Sequence, residues 1–395
     1  MPFLAFILGV GAISAGMTMA MSWPAFNRVS YAVPVNALKA AVVEAPIIPV
    51  PLPVVHIPTP IPVKAVYITA CTASESRLRD KVVDELSGTE INSMVIDLKD
   101  YTGTLSYSST SIAVPAGGNG CRIIDLPEFV QELHDKGIYA IGRVTVFQDP
   151  LYSHAHPESA VASLSHPSRP WTDKSGLSYV DPDHKPYWDY IVAIAKESYS
   201  IGFDEINFDY IRFPSDGDMS DAHFALPAST TKAMVIKQFF EYLHSQLQPE
   251  NDSNAGIKIS ADLFGQTTVN TDDMGIGQIM EDALPYFDFV DQMVYPSHFI
   301  NGFDGYTSPA AHPYDVVKFT MTRAVERAAA ASSTPDKLRP WLQAFDYKAL
   351  YPPSAVESEK QAVYDSGLSG YMLWNAASEY NVPELMPAPT VATST

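Results

Sequence analysis

Glu205, Asn207 and Asp209 alternate along the segment DEINFDYIRFP, so in an extended chain they share one side while Ile206, Phe208 and Tyr210 take the other. If the apolar set packs on helices, the polar set faces an interior, where an unpaired carboxylate costs on the order of several kcal/mol. Such residues need partners or a function. A second acid, Asp262, closes the apolar run KISADLFG. Adjacent strands lie about 5 Å apart. Two acids at similar height on such strands reach the separation used for glycosidic cleavage. One acid would attack the anomeric carbon or activate water, and the other, its pKa raised by its neighbour's charge, would protonate the leaving oxygen. Simpler roles are open to each: Glu205 could form a buried ion pair with Arg143, and Asp262 could cap a short following helix.

Further polar and aromatic residues fall at the ends of other apolar runs. Asp97 and Lys99 stand two apart in VIDLKD, on one face of a strand, and Arg143 lies mid-strand in GRVTVF. Arg212 follows Asp209 by three positions, and Tyr295 and His298 belong to QMVYPSHF. Gln343 and Asp346 close WLQAFDY, and Trp374 ends YMLW, where it could stack on a sugar ring or simply pack. All are candidates for substrate contact. No metal or cofactor is expected, because His154 and His156 form the only HxH pair among ten histidines and lie inside a long insertion.

The elements that must position these residues alternate from Lys64 onward. Short β-branched runs are read at Ala65–Thr69, Ser93–Leu98, Tyr139–Phe147, Glu205–Phe213, Lys258–Leu263, Phe289–Tyr295, Pro340–Phe345 and Gly370–Trp374. Between them, helical periodicity marks Glu75–Leu86, Leu126–Lys136, Pro186–Ser200, Thr230–Leu247, Tyr314–Ala331 and Val356–Ser366. Eight βα rounds predict an α/β fold, a (β/α)8 TIM barrel, whose active site is built at the C-terminal strand ends. An open doubly wound sheet is the alternative, but no GxGxxG or GxxxxGK loop follows any strand. The insertion from Asp149 to Asp183 exceeds an ordinary βα loop and reads as a lid or subsite wall.

A net charge of -20, from 25 Lys plus Arg against 45 Asp plus Glu, excludes a nucleic-acid partner. It also disfavours a polyanionic substrate, although Lys99, Arg143 and Arg212 could hold one acidic group. Residues 1–27 form an uncharged apolar segment before Arg28, which predicts a signal peptide or membrane anchor and an extracellular or cell-surface location. Residues 28–63 read as a proline-rich linker, with an edge strand docked on the domain as the alternative. Residues 64–383 are the barrel domain, and 384–395 a frayed tail. The two cysteines, Cys71 and Cys121, could form a disulfide or stay two unrelated buried thiols.

Seven stretches in order, KAVYIT, VIDLKDYTGTLSY, YAIGRVTVFQDP, WTDKSGLSYVDP, GFDEINFDYIRFPSDG, ISADLFG and QMVYPSHF, resemble the putative glycosyl hydrolase domain family, once catalogued only as a domain of unknown function. The resemblance spans about Lys64 to Asn381. It implies a TIM barrel distantly similar to α-amylase-like hydrolases, in which the carboxylate closing the fourth strand is commonly the nucleophile, here Asp209. Amylase-like relatives supply a Glu acid from the fifth strand, where this chain has Asp262, so Asp262 substitutes or the donor is Asp97 or Asp346. The expected activity is hydrolysis of an oligo- or polysaccharide of the extracellular space or cell wall. The rival is a non-catalytic carbohydrate-binding barrel, which keeps Trp374 and Tyr295 but does not require Asp209.

Overall fold

A computed structural model of the protein describes residues 54–248 and 256–387. The apolar segment 1–27, most of the proline-rich stretch and residues 388–395 of the tail lie outside them. Among the described residues no helix is long and apolar enough to cross a membrane.

Eight parallel strands close into a barrel: β1 (Lys64–Ile68), β2 (Ser93–Lys99), β3 (Tyr139–Thr145), β4 (Glu205–Asp209), β5 (Lys258–Phe264), β6 (Phe289–Met293), β7 (Trp341–Gln343) and β8 (Tyr371–Trp374). Each pairs with the next in sequence and β8 closes on β1. Helices α1 (Ser76–Glu85), α2 (Leu126–Asp135), α3 (Lys185–Ile201), α4 (Lys232–Leu247), α5 (Met280–Ala283), α6 (Pro313–Ala330) and α7 (Pro353–Asp365) run between them. This is the (β/α)8 barrel expected from the sequence.

The local rules are visible in α2. Leu126, Phe129, Val130 and Leu133 recur at helical spacing and are buried, a proline sits in the first turn, and Gly137 just past the end adopts φ 72. Every residue of β2 and β3 is buried, because helices cover one face and the barrel interior the other. Two cores result. One lies between strands and helices, and a smaller one of Ala65, Tyr67, Val95, Tyr139, Ile141, Trp341 and Met372 fills the barrel itself.

Three features close the ends of the barrel. Cys71 and Cys121 are disulfide-bonded with Cα atoms 4.9 Å apart, joining the short helix Ala70–Ser74 after β1 to the loop after β2. The Asp149–Asp183 insertion folds on itself, then pairs Ala162–Ser163 antiparallel with Ala222–His223 from the loop after β4. At the opposite end, the residues before β1 lie against the base: Ile57 donates its N–H to Asp204 at 2.8 Å, and His56 stacks on Tyr199 at 3.9 Å.

Strand four is shorter than its apolar pattern suggests. It was expected to reach Phe213 but ends at Asp209, because Tyr210 turns into the left-handed region at φ 53.

Candidate active site

Asp209 and Asp262 stand side by side. Phe208 of β4 registers with Ala261 of β5, and each acid is the next residue of its strand. The left-handed turn at Tyr210 costs roughly 1–2 kcal/mol for a residue with a Cβ, and it bends the chain so that the Tyr210 N–H donates to Asp209 Oδ1 at 2.6 Å. The other oxygen, Oδ2, accepts from Arg143 Nη2 at 2.5 Å. Asp209 is thus surrounded by donors.

Arg143 comes from the middle of β3, registered between Asp97 on β2 and Asn207 on β4. Its Nη1 donates to Asp97 at 2.6 Å, and its Nε lies 4.0 Å from Asp262 Oδ2. One guanidinium therefore faces three carboxyl groups. Tyr67 completes the clamp: its hydroxyl donates to Asp97 at 2.5 Å, and its ring stacks on Trp374 with centroids 3.9 Å apart. Trp374 in turn lies 5.0 Å from the Arg143 guanidinium. The tryptophan that sequence offered as a sugar platform is held by a tyrosine behind it and a cation beside it.

Asp262 is enclosed differently. Its Oδ1 accepts from Asn207 Nδ2 at 2.8 Å and from the Trp341 indole at 2.7 Å. Burial pushes its carboxyl well above the usual range, and the negative charges of Asp209 and Asp291 push it further, against the pull of Arg143. It does not cap the short helix that follows β5, whose N-cap residue is Phe264.

Beneath the pair lies a second polar layer. Arg339 bonds Glu205 and Asp291 at 2.6 and 2.8 Å, Ser260 donates to Glu205 at 2.6 Å, and Asn207 reaches Asp291 at 3.2 Å. Burial raises Asp291 to about 7, with Arg339 opposing. Glu205 therefore does not pair with Arg143, as the sequence allowed. Arg143 stands two residues up the barrel and is already engaged, and Arg339 comes from just before β7.

A cavity of about 590 Å³ opens over the two acids, lined by Arg143, Asp209, Tyr210, Arg212, Asp262, Phe264, Tyr295, His298 and Trp374 among others. The remaining candidates for substrate contact do not line it. Asp97 lies behind Arg143, and Glu205 and Asn207 belong to the lower layer. Lys99 was expected on the same face as Asp97, but the register slips between them, and its ammonium is buried 2.8 Å from Asp149 on the outer side. Gln343 is buried, tying the Ser297 N–H to the Phe345 carbonyl. Asp346 accepts from the Tyr351 N–H and lines a separate groove with Asn375.

Sequence reading missed Tyr67, Trp341, Asp291 and Arg339. Asp291 carried a signal, since it is an acid in the middle of the apolar run Phe289–Met293, and in the fold it registers with Asp262. Arg339 carried none, because it precedes its strand. His298 lines the cavity, and burial with nearby Lys348 lowers its pKa, keeping the ring neutral at pH 7. Among the described residues no group of three or more His, Cys, Asp or Glu side chains is arranged to hold a metal.

A family model described as "Putative glycosyl hydrolase domain" matches residues 65–380. The chain belongs to that family. Among solved structures, a hypothetical protein from Ruminiclostridium thermocellum is 33% identical over 53% of this chain and 98% of its own, with a TM-score of 0.45. The PgaB (BpsB) glycoside hydrolase domain from Bordetella bronchiseptica is 14% identical, covering 80% of this chain and 95% of its own, at a TM-score of 0.57. The α-L-fucosidase isoenzyme 2 of Paenibacillus thiaminolyticus is 11% identical over 82% of this chain and 48% of its own, at 0.53. At such identities the last two likenesses speak for the barrel alone. No curated protein sequence matches this member of the family.

Proposed function

We propose that this family member hydrolyses a glycosidic bond in an extracellular or cell-wall polysaccharide, with Asp209 as nucleophile and Asp262 as general acid. The observation that carries the reading is the unequal treatment of two neighbouring carboxyl groups at the C-terminal strand ends. Both oxygens of Asp209 accept hydrogen bonds, from Arg143 and the Tyr210 N–H, whereas only Oδ1 of Asp262 does, and burial with the charges of Asp209 and Asp291 pushes the Asp262 carboxyl well above the usual range.

The steps follow from that difference. An Asp209 oxygen attacks the anomeric carbon as the bond to the leaving oxygen breaks, and the Asp262 proton passes to that oxygen. Asp262, now a carboxylate, takes a proton from water, whose oxygen attacks the same carbon and releases Asp209. Arg143 holds Asp209 in place, and Trp374, backed by the stacked Tyr67, forms one wall for a sugar ring. This covalent route needs the two carboxyl groups about 5 Å apart, whereas inversion needs room for a water between them. The disulfide favours an oxidising compartment, consistent with export.

The test is reducing-sugar release from a panel of polysaccharides by the wild-type chain beside Asp209→Asn. Release that vanishes in the variant supports the reading. No release by the folded wild type from any substrate, with retained glycan binding, would replace it by a binding barrel.

A further inference from the structure

Arg212 is the one buried arginine of the described residues whose charge is left without a carboxylate. Arg79, Arg143 and Arg339, the other buried arginines, face carboxylates at 2.6, 2.5 and 2.6 Å. Arg212 is only 6% exposed, yet its polar contacts are Nη1 to the Phe213 carbonyl at 3.0 Å and to Ser215 Oγ at 3.3 Å. Its Nε and Nη2 have no acceptor among the described residues, and they are not sealed from solvent, because the side chain lines the cavity that holds Asp209 and Asp262. The guanidinium is fixed between two rings, Tyr210 at 5.1 Å and Phe264 at 4.7 Å, which also line the cavity. Asp216, the other acid on the cavity wall, is exposed and forms no ion pair with it.

A buried, preoriented fork whose open edge presents the two N–H groups of Nε and Nη2 matches a planar carboxylate. Lys99 and Arg143, the other cations that sequence offered for an acidic group, are consumed by Asp149 and by Asp97 with Asp209. We infer that Arg212 forms a carboxylate-binding subsite beside the paired acids, so that the glycan accepted here places a hexuronic acid, or another carboxylated sugar, at that position. This rests on reading the cavity as a glycan site. The subsite is single, and a net charge of -20 repels a uniform polyanion, so the fitting substrate carries isolated acidic sugars among neutral ones.

Binding separates this inference from catalysis. D-glucuronate and D-galacturonate are titrated into the full-length chain by calorimetry, with D-glucose and D-galactose as neutral counterparts. The uronates should bind at least tenfold tighter. Arg212→Gln should bring all four sugars to the same affinity, Arg212→Lys should keep part of the preference, and Arg323→Gln, on the outer surface, should keep all of it. Equal binding of acidic and neutral sugars by the wild type, or a preference that persists in a folded Arg212→Gln, would overturn the subsite. Asp209→Asn should retain the preference. A uronate preference without hydrolysis of any glycan would sink the hydrolase reading alone, and hydrolysis without a preference would sink the subsite alone.

Discussion

Trp341 donates its indole N–H to Oδ1 of Asp262 at 2.7 Å, from a strand two places round the barrel. Asn207 donates to the same oxygen, so the proton that Asp262 keeps belongs on Oδ2. That oxygen can hand it over. Asp262→Asn should therefore lower kcat/KM, which reports the first step alone, by about 10²- to 10⁴-fold on glycans, whose leaving oxygen needs protonation. The loss should be much smaller on nitrophenyl glycosides, which leave as stable anions. Equal losses on both would remove Asp262 from the role of acid.

Asp209→Asn should depress turnover by about 10⁴-fold or more on either substrate class, since no leaving group rescues a missing nucleophile. Its melting temperature should stay within about 5 °C of wild type, because Arg143 retains Asp97 as a partner. Proton NMR of the first-formed sugar from the wild type should show the anomeric configuration of the substrate. An inverted product would rule out direct attack.

The pH profile reports on Asp291. Asp262 works while protonated, so activity should fall as pH rises through its elevated pKa. Part of that elevation comes from the Asp291 charge. Asp291→Asn removes a negative neighbour, makes Asp262 easier to ionise, and should move the alkaline limb to lower pH, on the order of one unit. An alkaline limb that stays in place, in a variant with a native melting curve, would show that another group titrates there.

Glu359 on α7 offers a stability test away from the chemistry. It is fully buried against β7, where Oε2 accepts the Gln343 N–H at 2.8 Å, and among the described residues Oε1 has no partner and no cation pairs with the carboxyl. Burial pushes its pKa well above the usual range. The folded state then binds a proton that the unfolded chain releases above about pH 4.3, so stability falls as pH rises between the unfolded and folded pKa values. Glu359→Gln needs no proton and should be more stable than wild type by about 1 kcal/mol or more at pH 7. The gain should fade by about pH 4. Thermal melts at the two values decide it, and a variant less stable at pH 7 would mean that the carboxyl is ionised in the fold.

Much of the barrel was readable because parallel strands covered on both sides must be β-branched runs of short length, and eight were present. Asp209 and Asp262 were readable for a related reason: polar residues at such strand ends break the pattern. Lys99 was misplaced because a one-residue slip after Asp97 reverses the facing of everything beyond it, and no residue type announces the slip. The partner of Glu205 was misassigned because strand neighbours are inferable from order, whereas Arg339 approaches from outside any strand. Asp346 looked like a rim residue by position, but its loop turns away to bind its own backbone.

The polar column from Arg339 and Glu205 through Asp291 and Asn207 to Asp262 runs beside the apolar cluster that fills the rest of the barrel, and links floor to mouth without a break. In so poorly screening a medium, charges a whole layer apart sense each other. The protein's acid tolerance and its working pH range are then governed by overlapping sets of groups. An engineer who resurfaces the floor for durability would also be retuning the enzyme's pH optimum.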